Sequence, residues 1–376
     1  MKRLVSKDVA DRDANADRSA PHRLESNSTL GPPVMPPELT DRIVDFLHDD
    51  HAALKSCGLT CRPWLSAVRY HLYYAISLEN TRLFRAFSSL LNRTPTLGQY
   101  VREIHLAMTE ELQRSDALPS IVAHLGRVRR LALSGDILTV DQATFERFGP
   151  VQELALNLSS CKLSDVAALF LAFPGISDLS IKNTTYLYGP LDHVPMLPVT
   201  RLELQPALNP GLLPPSSPML ESLVLSIRRV EDLRTLSHIL RTAIRQLKQL
   251  DLQIHITVAE HQAIFLDSLR RCPQSLTAIR LSTKSVQCLA CILDNVDSTY
   301  MLDVALDVAV GSMYGLKTLS GVLARTRFRK ASRIVVTLRC PRLLIYCPRD
   351  EEMTKALVEE ALLEAYRRRV LSVLIY

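Results

Sequence analysis

Glycine is scarce in this chain, at 12 of 376 residues. Enzymes that bind nucleotides hold the phosphates in a glycine-rich loop after a strand, and the sequence has no such loop. The serine-elbow motif of hydrolases, the His-Glu-x-x-His motif of metalloproteases and the protein-kinase signature are missing too. The ten histidines are dispersed, and none has metal-ligand spacing to another. We therefore expect a protein that is not an enzyme and that needs no cofactor or metal.

Long apolar runs are also missing, although 47% of the residues are apolar. A membrane-spanning helix needs about eighteen or more consecutive apolar residues, so we expect no membrane partner. The amino terminus has no continuous apolar segment typical of a secretory signal, which predicts a cytoplasmic or nuclear location. The eight cysteines are scattered and should be thiols in a reducing compartment. Cys288 and Cys291 form a CxxC pair in an apolar context, where buried thiols are favoured over a zinc site.

Residues 1–34 are polar, carry both signs of charge and end in Gly31-Pro32-Pro33. This composition predicts a disordered tail. Ser26, Ser28 and Thr29 could be phosphorylated, and simple solvent exposure is the favoured alternative.

The segment from Met35 to Ser77 predicts three short helices. The first begins near Pro37 and carries Leu39, Ile43 and Phe46-Leu47 at helical spacing. The second spans 52–59 and the third Trp64–Tyr74. Three helices in about forty residues bury little surface, so this unit needs a partner to cover its apolar faces.

These residues resemble the F-box, the module that docks substrate-recognition proteins on the Skp-type adaptor of cullin-RING (SCF) ubiquitin ligases. The positions that match the motif are Met35-Pro36 or Pro36-Pro37, Glu38, Leu39, Ile43, Phe46, Leu47, Leu54, Leu59, Cys61, Arg62 and Trp64. The resemblance implies an F-box-like helical domain over 35–78 with the Skp-type adaptor as partner. It implies adaptor binding by Pro36, Pro37, Glu38, Leu39, Ile43, Leu47, Leu54 and Trp64. We expect Leu39 and Ile43 to be the interface anchors, since buried apolar anchors dominate such interfaces. The alternative is a helical cap that packs on its own chain.

A repeated phrase with apolar residues at i, i+3 and i+5 begins after a predicted helix over 81–92 and a turn at Pro95. The clear copies are Val101-Ile104-Leu106, Val128-Leu131-Leu133, Val151-Leu154-Leu156, Ile176-Leu179-Ile181, Val199-Leu202-Leu204, Leu220-Leu223-Leu225, Leu247-Leu250-Leu252 and Leu276-Ile279-Leu281. Weaker copies lie at Leu302-Val304, Ile334-Val336 and Val373-Ile375. The starts are roughly 21 to 29 residues apart, which is the period of leucine-rich repeats.

Each phrase predicts a short strand with one buried side, and helical segments such as 118–127, 165–173, 231–246 and 259–272 lie between the strands. A strand and a helix cannot bury their apolar faces alone, whereas stacked copies close a core. The phrase resembles degenerate leucine-rich repeats. The predicted fold class is therefore α/β, with the helical unit followed by a leucine-rich-repeat solenoid over 79–376. Short parallel strands should line its concave face, helices and loops its convex face, and a terminal helix and strand should cap it.

Polar residues alternate with the buried ones along the predicted strands. We expect these polar side chains to bind a protein substrate of unknown identity. The candidate residues are Glu103, His105, Arg130, Glu153, Arg201, Glu203 and Arg280. Because both signs alternate, the ligand of this face should not be uniformly acidic or basic.

Two regions depart from the repeat. Prolines crowd residues 183–219, which predicts extended loop there. Residues 325–349 contain basic residues and no acidic one, which could indicate an acidic partner or nucleic acid. A solvated edge balanced by the nearby glutamates is favoured. Three functions stay open: an SCF substrate adaptor, a repeat scaffold whose helical cap binds no adaptor and, as the weakest, a nucleic-acid-binding repeat protein.

Overall fold

The computed structural model describes residues 36–60, 62–113, 117–183, 186–188, 197–205, 219–242, 246–255, 275–283, 289, 292–293, 303–309, 333–339 and 371–375. Its α-helices are α1 (Pro37–Phe46), α2 (His51–Thr60), α3 (Trp64–Tyr74), α4 (Thr81–Arg93), α5 (Glu110–Gln113), α6 (Ala117–Val122), α7 (Gln142–Phe145), α8 (Leu163–Ala172) and α9 (Val230–Thr242). Two 3₁₀ helices span Pro95–Tyr100 and Glu146–Phe148.

Thirteen strands of the described part of the chain form one sheet. They are β1 (Ala75–Leu78), β2 (Glu103–Ala107), β3 (Arg130–Leu138), β4 (Glu153–Lys162), β5 (Asp178–Lys182), β6 (Tyr186–Tyr188), β7 (Arg201–Gln205), β8 (Ser222–Ile227), β9 (Gln249–Ile254), β10 (Ala278–Thr283), β11 (Asp303–Ala309), β12 (Arg333–Arg339) and β13 (Leu371–Ile375).

The strands pair in parallel and follow one another in chain order, except that the short β6 lies off this path and pairs with β4. Each strand is therefore joined to the next by a crossover, which is the topology of a solenoid. Equivalent positions of the repeats meet in register: Ile104 pairs with Leu131, and Leu131 with Leu154. The predicted α/β solenoid is confirmed, and the three weaker copies of the phrase are the strands β11, β12 and β13.

The repeated phrase fills the core. Every apolar residue of the eight clear copies is buried, and these residues join the side chains of the helices in one continuous cluster. Phe84 of α4, Phe170 of α8 and Leu236 of α9 belong to that cluster. The helices therefore cover the side of the sheet to which the phrase points.

The helical unit, α1 to α3, has a separate small core of Val44, Leu54 and Val68. Leu47 and Trp64 are partly buried against it. Three buried residues make a marginal core, because small units leave much of their apolar surface in water.

The helical unit continues into the solenoid without a linker. The strand β1 follows α3 directly and pairs with β2, and the Arg102 N–H donates to the Tyr74 carbonyl at 2.9 Å. Tyr73 packs against the main core. The sequence did not predict β1, because Ala75-Ile76-Ser77-Leu78 lacks the spacing of the repeated phrase.

A glycine follows the 3₁₀ helix before β4, and two predicted element bounds differ in the structure. The 3₁₀ helix before β4 ends at Phe148, and Gly149 has a φ of 82°, which favours glycine. A Cβ at Gly149 would lie 2.6 Å from the Gly126 carbonyl oxygen of the neighbouring repeat, so this close approach also favours glycine at position 149. The predicted turn at Pro95 continues as a 3₁₀ helix, and the helix predicted over 118–127 ends at Val122.

Several predicted features lie outside the described residues. They are the tail over 1–34, most of the proline-rich region, the helix over 259–272, the Cys288 and Cys291 pair, the terminal helix, and the basic run 325–349 except for β12.

Candidate functional site

The first candidate surface is α1, which has two apolar faces. Thr40 and Val44 point into the helical unit and are buried. Leu39, Ile43 and Phe46 point outward, with 50%, 41% and 89% of their surface exposed. Because i, i+4 and i+7 positions share a helix face, these three side chains form one row, the outward stripe. The single apolar stripe expected from the sequence is thus two stripes, and Leu47 lies on the inner one.

The residues that the resemblance assigned to adaptor binding fall into two groups. Pro36, Glu38, Leu39 and Ile43 are exposed at the start and outer face of α1. Three others belong to the small core of the helical unit. Leu54 is fully buried, and Leu47 and Trp64 are partly buried and pack against the cluster that contains Leu54. The side chain of Pro37 lies outside the described residues. Three exposed residues of the motif were not among the candidates. They are Phe46, Arg62 and Leu59, which is 89% exposed on α2.

Polar contacts fix the position of α1 in the helical unit. His71 of α3 contacts Asp45 of α1, with 2.8 Å between Nε2 and Oδ1. Asp50 accepts from the backbone N–H groups of Ala52 and Ala53 and so caps α2. The first contact joins α1 to α3 and the second fixes the start of α2, so the outward stripe is carried by a helix that is tied to its own unit.

The second candidate surface is the uncovered side of the sheet, the open face. It consists of the side chains that alternate with the buried phrase residues along β1 to β12. Pairing in register places them in rows across the strands, such as Glu103, Arg130, Glu153, Asp178 and Arg201. All seven predicted substrate residues lie on the open face. Six of them lie on β2, β3, β4 and β7, whereas Arg280 lies farther along, on β10.

Opposite charges meet along these rows. Arg130 lies 3.6 Å from Glu103 and 3.7 Å from Glu153, and Arg201 lies 3.2 Å from Asp178. Most of these groups are half-exposed, so the pairs contribute little to stability. Their effect is to leave this part of the open face nearly neutral, with both signs presented at about the strand spacing of 4.8 Å.

His105 is held between two serines on the neighbouring strands. Its Nδ1 lies 3.0 Å from Ser77 Oγ, and its Nε2 lies 2.8 Å from Ser134 Oγ. Ser77 also donates to Glu79, because a carboxylate only accepts. The two contacts hold the imidazole between β1 and β3, in a groove of about 290 Å³ over β1 to β3.

Asp251 is a buried carboxylate on the open face. Its side chain is only 10% exposed, its Oδ2 lies 3.6 Å from Arg280 Nη1, and its Oδ1 has no hydrogen-bond partner among the described residues. Burial raises the pKa of the Asp251 carboxyl above its ordinary value; Arg280 opposes this shift and Glu203 adds to it. An unpaired buried oxygen of this kind costs about 1–3 kcal/mol.

A groove of about 500 Å³ crosses β9 to β12, with Gln249 as its lining residue from β9. Small side chains, Ala278, Ala305 and Val335, leave this space, and Arg280, Asp303 and Arg333 line it as longer charged residues. Concave sites of this volume are in the range of ligand sites.

Asp251 makes stability depend on pH in a defined direction. The folded state holds the proton to higher pH than the unfolded state does, so stability falls as pH rises from about 4, the ordinary Asp value, through the folded pKa. Asp251→Asn removes this titration. We expect the variant to gain on wild type as pH rises, reaching an advantage of about 1 kcal/mol at neutral pH. Urea unfolding midpoints between pH 4 and pH 7 measure the difference, and an advantage that shrinks with pH would contradict this account.

Six charged residues of the open face were missing from the predicted site. They are Asp178, Lys182, Asp251, Asp303, Asp307 and Arg333. Lys182 contacts Glu203 at 2.9 Å and lies at i+6 of its phrase, one alternation beyond the positions considered. Continuing the two-residue period to i+6 would have identified it.

The described residues offer little for covalent or metal chemistry. No group of three or more potential metal ligands occurs among them, and none of their helices is long and apolar enough to cross a membrane. Burial, with Asp165 nearby, raises the pKa of the Cys161 thiol to about 12, so this thiol stays protonated at neutral pH.

Comparison with known proteins leaves the family open. No family model and no curated protein matches the chain. The leucine-rich repeat-containing protein LegL7 from Legionella pneumophila is 15% identical, with a TM-score of 0.38 over 80% of this chain and 82% of that one. The Rad7 and Elc1 complex in yeast contains a chain that is 13% identical, with a TM-score of 0.38 over 81% of this chain and 75% of that one. Since both scores are below 0.5, the fold assignment rests on the strand pairing of this chain.

Proposed function

We propose that this chain is a substrate-recognition adaptor of an SCF-type ubiquitin ligase. The outward stripe docks on the Skp-type subunit, and the open face binds a protein substrate. The chain itself performs no catalytic step in this scheme. The observation that carries the proposal is the row of Leu39, Ile43 and Phe46 on α1, exposed beside an F-box-like motif.

The outward stripe is an energetic argument for a partner. Burying a large apolar side chain gains about 1.5–3 kcal/mol relative to leaving it exposed. Three such side chains, two of them already about half-buried, supply roughly 3–6 kcal/mol. A micromolar complex needs about 8 kcal/mol net of association costs. The adaptor must therefore also contact neighbouring residues, for which Pro36, Glu38 and Leu59 are exposed.

The open face supports protein binding better than nucleic-acid binding. Affinity for nucleic acid comes mainly from lysine and arginine contacts to phosphates. Here Arg130 and Arg201 are paired with carboxylates of neighbouring strands. A row of alternating charge repels a phosphate backbone at every second position, whereas a protein can present both signs.

The alternative is a repeat scaffold whose helical unit only closes the end of the solenoid. Tyr73 and Tyr74 at the end of α3 do contact the solenoid. That role explains the inner apolar stripe of α1 and gives no reason for the outward one.

Co-purification tests the proposal. The full chain is expressed with the Skp-type adaptor of the same organism and passed over a size-exclusion column. We expect one complex with equal amounts of the two chains. Elution of the full chain without the adaptor would contradict the proposed docking and favour the scaffold.

A further inference from the structure

Four arginines lie close together at the edge of the open face where β2 to β4 begin. We call them the arginine patch, and they are Arg102, Arg127, Arg129 and Arg147. Arg102 and Arg129 immediately precede β2 and β3, and the Arg129 N–H donates to the Arg102 carbonyl at 2.7 Å. These two residues are therefore neighbours across adjacent strands.

Arg127 and Arg147 extend the patch toward the next repeat. Arg127 follows Gly126 directly, and Arg147 precedes Gly149 by two residues. A Cβ at Gly149 would lie 2.6 Å from the Gly126 carbonyl oxygen, so the two turns are in close contact. The four arginines are thus carried by adjoining turns of three successive repeats.

The positive charge of the patch is not neutralised by any carboxylate among the described residues. Arg127, Arg129 and Arg147 are exposed, and their guanidinium groups make no hydrogen bond or ion pair there. Arg102 donates to two backbone carbonyls, which are neutral groups and leave its charge uncompensated. The patch differs in this respect from the paired arginines of the open face.

The neighbouring carboxylates already have partners. Glu103 and Glu153 lie 3.6 and 3.7 Å from Arg130 of the open face. Glu146, which precedes Arg147 in the chain, accepts from Gln142 at 2.8 Å. The charge of the patch is therefore available to a ligand.

We propose that the arginine patch binds an acidic segment of the protein substrate. Arginine suits carboxylates because its planar fork of N–H donors matches their two oxygens. Residues 1–34 of the chain itself carry nearly balanced charge, so a segment rich in aspartate or glutamate from another protein is the better match. Nucleic acid matches less well, because Glu103 and Glu153 beside the patch repel a long phosphate backbone more than a short acidic segment. This inference rests on the proposed role of the chain as a substrate adaptor, and it adds the charge of the segment that lies beside the open face.

Binding of a labelled acidic peptide tests the assignment. The probe is a fluorescein-labelled peptide of ten glutamates, and the full chain is titrated into it at about 50 mM salt, where screening is still weak. The patch variant combines Arg127→Glu, Arg129→Glu and Arg147→Glu. The matched control combines the same change at exposed arginines on or next to α4 and α9, namely Arg82→Glu, Arg228→Glu and Arg234→Glu. Both variants lose the same net charge, so fluorescence anisotropy separates the patch from the charge of the whole chain. Circular dichroism checks that both are folded.

We expect the control to bind the peptide within about threefold of wild type. The patch variant should bind it at least about tenfold more weakly, a difference of about 1.4 kcal/mol. Equal weakening in both variants, unchanged binding by the patch variant, or no binding by wild type would each overturn the inference. So would tighter binding of a ten-nucleotide DNA single strand through the same arginines. The patch variant leaves the outward stripe unchanged and should still co-purify with the Skp-type adaptor, so failure of adaptor docking and failure of this inference are separate results.

Discussion

Replacing Leu39 and Ile43 together by lysine should abolish binding of the Skp-type adaptor and leave the helical unit folded. Truncating an apolar interface anchor typically costs about 2 kcal/mol or more, and burying a lysine ammonium in its place costs more. The two changes together should weaken the complex at least about 1000-fold, which corresponds to about 4 kcal/mol. Co-purification and calorimetric titration measure the loss.

The fold should survive because both side chains point away from the small core of Val44, Leu54 and Val68. Lysine also has nearly the helix propensity of leucine. Circular dichroism should therefore match wild type. If the helical unit were only a cap that used the outward stripe for packing, the same variant would lose helix content.

Leu83 and Leu171 provide a matched control for charge and surface change. Leu83 of α4 is 41% exposed and Leu171 of α8 is 52% exposed. These fractions are close to the exposed fractions of Ile43 and Leu39. The double variant Leu83→Lys, Leu171→Lys adds the same two charges to the chain outside the helical unit. It should bind the adaptor as wild type does. Equal loss of binding in both double variants would mean that the outward stripe has no special role.

Phe148→Ala should destabilise the solenoid by about 3–5 kcal/mol without changing any candidate surface. The Phe148 ring is fully buried, and its centroid lies 5.8 Å from that of Phe145 and 6.5 Å from that of Phe173. Phe145 and Phe148 precede β4, and Phe173 precedes β5, so the three rings pack between two successive repeats. Removing the Phe148 ring leaves a cavity there, and the backbone pairing of the strands keeps the repeats from closing it. The midpoint of urea unfolding by circular dichroism measures the loss.

Phe46→Ala makes the same chemical change at the outward stripe. It should weaken adaptor binding and leave stability nearly unchanged, which is the opposite of the effect expected for Phe148→Ala. Phe46 is almost fully exposed, so its truncation should change stability by less than about 0.5 kcal/mol. Adaptor binding should weaken, whereas Phe148→Ala should bind normally at temperatures where it is folded. A large loss of stability in Phe46→Ala would show that this ring packs on the chain.

The repeats could be predicted from the sequence because their signal is local. Three apolar residues in each copy, such as Leu220, Leu223 and Leu225, are enough to predict a strand there. Each copy must also bury these residues against the next copy. The same holds for α1 to α3, whose apolar spacing and prolines define their positions. Such features do not depend on knowing which elements meet in space.

Features that depend on how elements pack together could not be predicted from the sequence. Leu39 and Val44 are similar apolar residues on one helix, and only the position of α2 and α3 decides that Val44 is core and Leu39 is surface. Likewise, Asp251 alternates with buried leucines just as Glu153 does. Its burial and unpaired oxygen follow from the side chains of neighbouring strands, which no local pattern specifies.

The outward stripe lies on α1, whereas the open face is formed by the strands of the sheet. In the proposed scheme the adaptor and the substrate therefore use different surfaces, which is what a recognition subunit requires.

Amide hydrogen exchange of the full chain, alone and with saturating Skp-type adaptor, tests the central claim most directly. The amides of short, exposed helices on a marginal core exchange readily, so docking on the outward stripe should slow them. We predict protection in α1 and α2 and unchanged exchange in β2 to β12. Protection on the open face without protection in α1, or no change anywhere in the chain, would contradict the account.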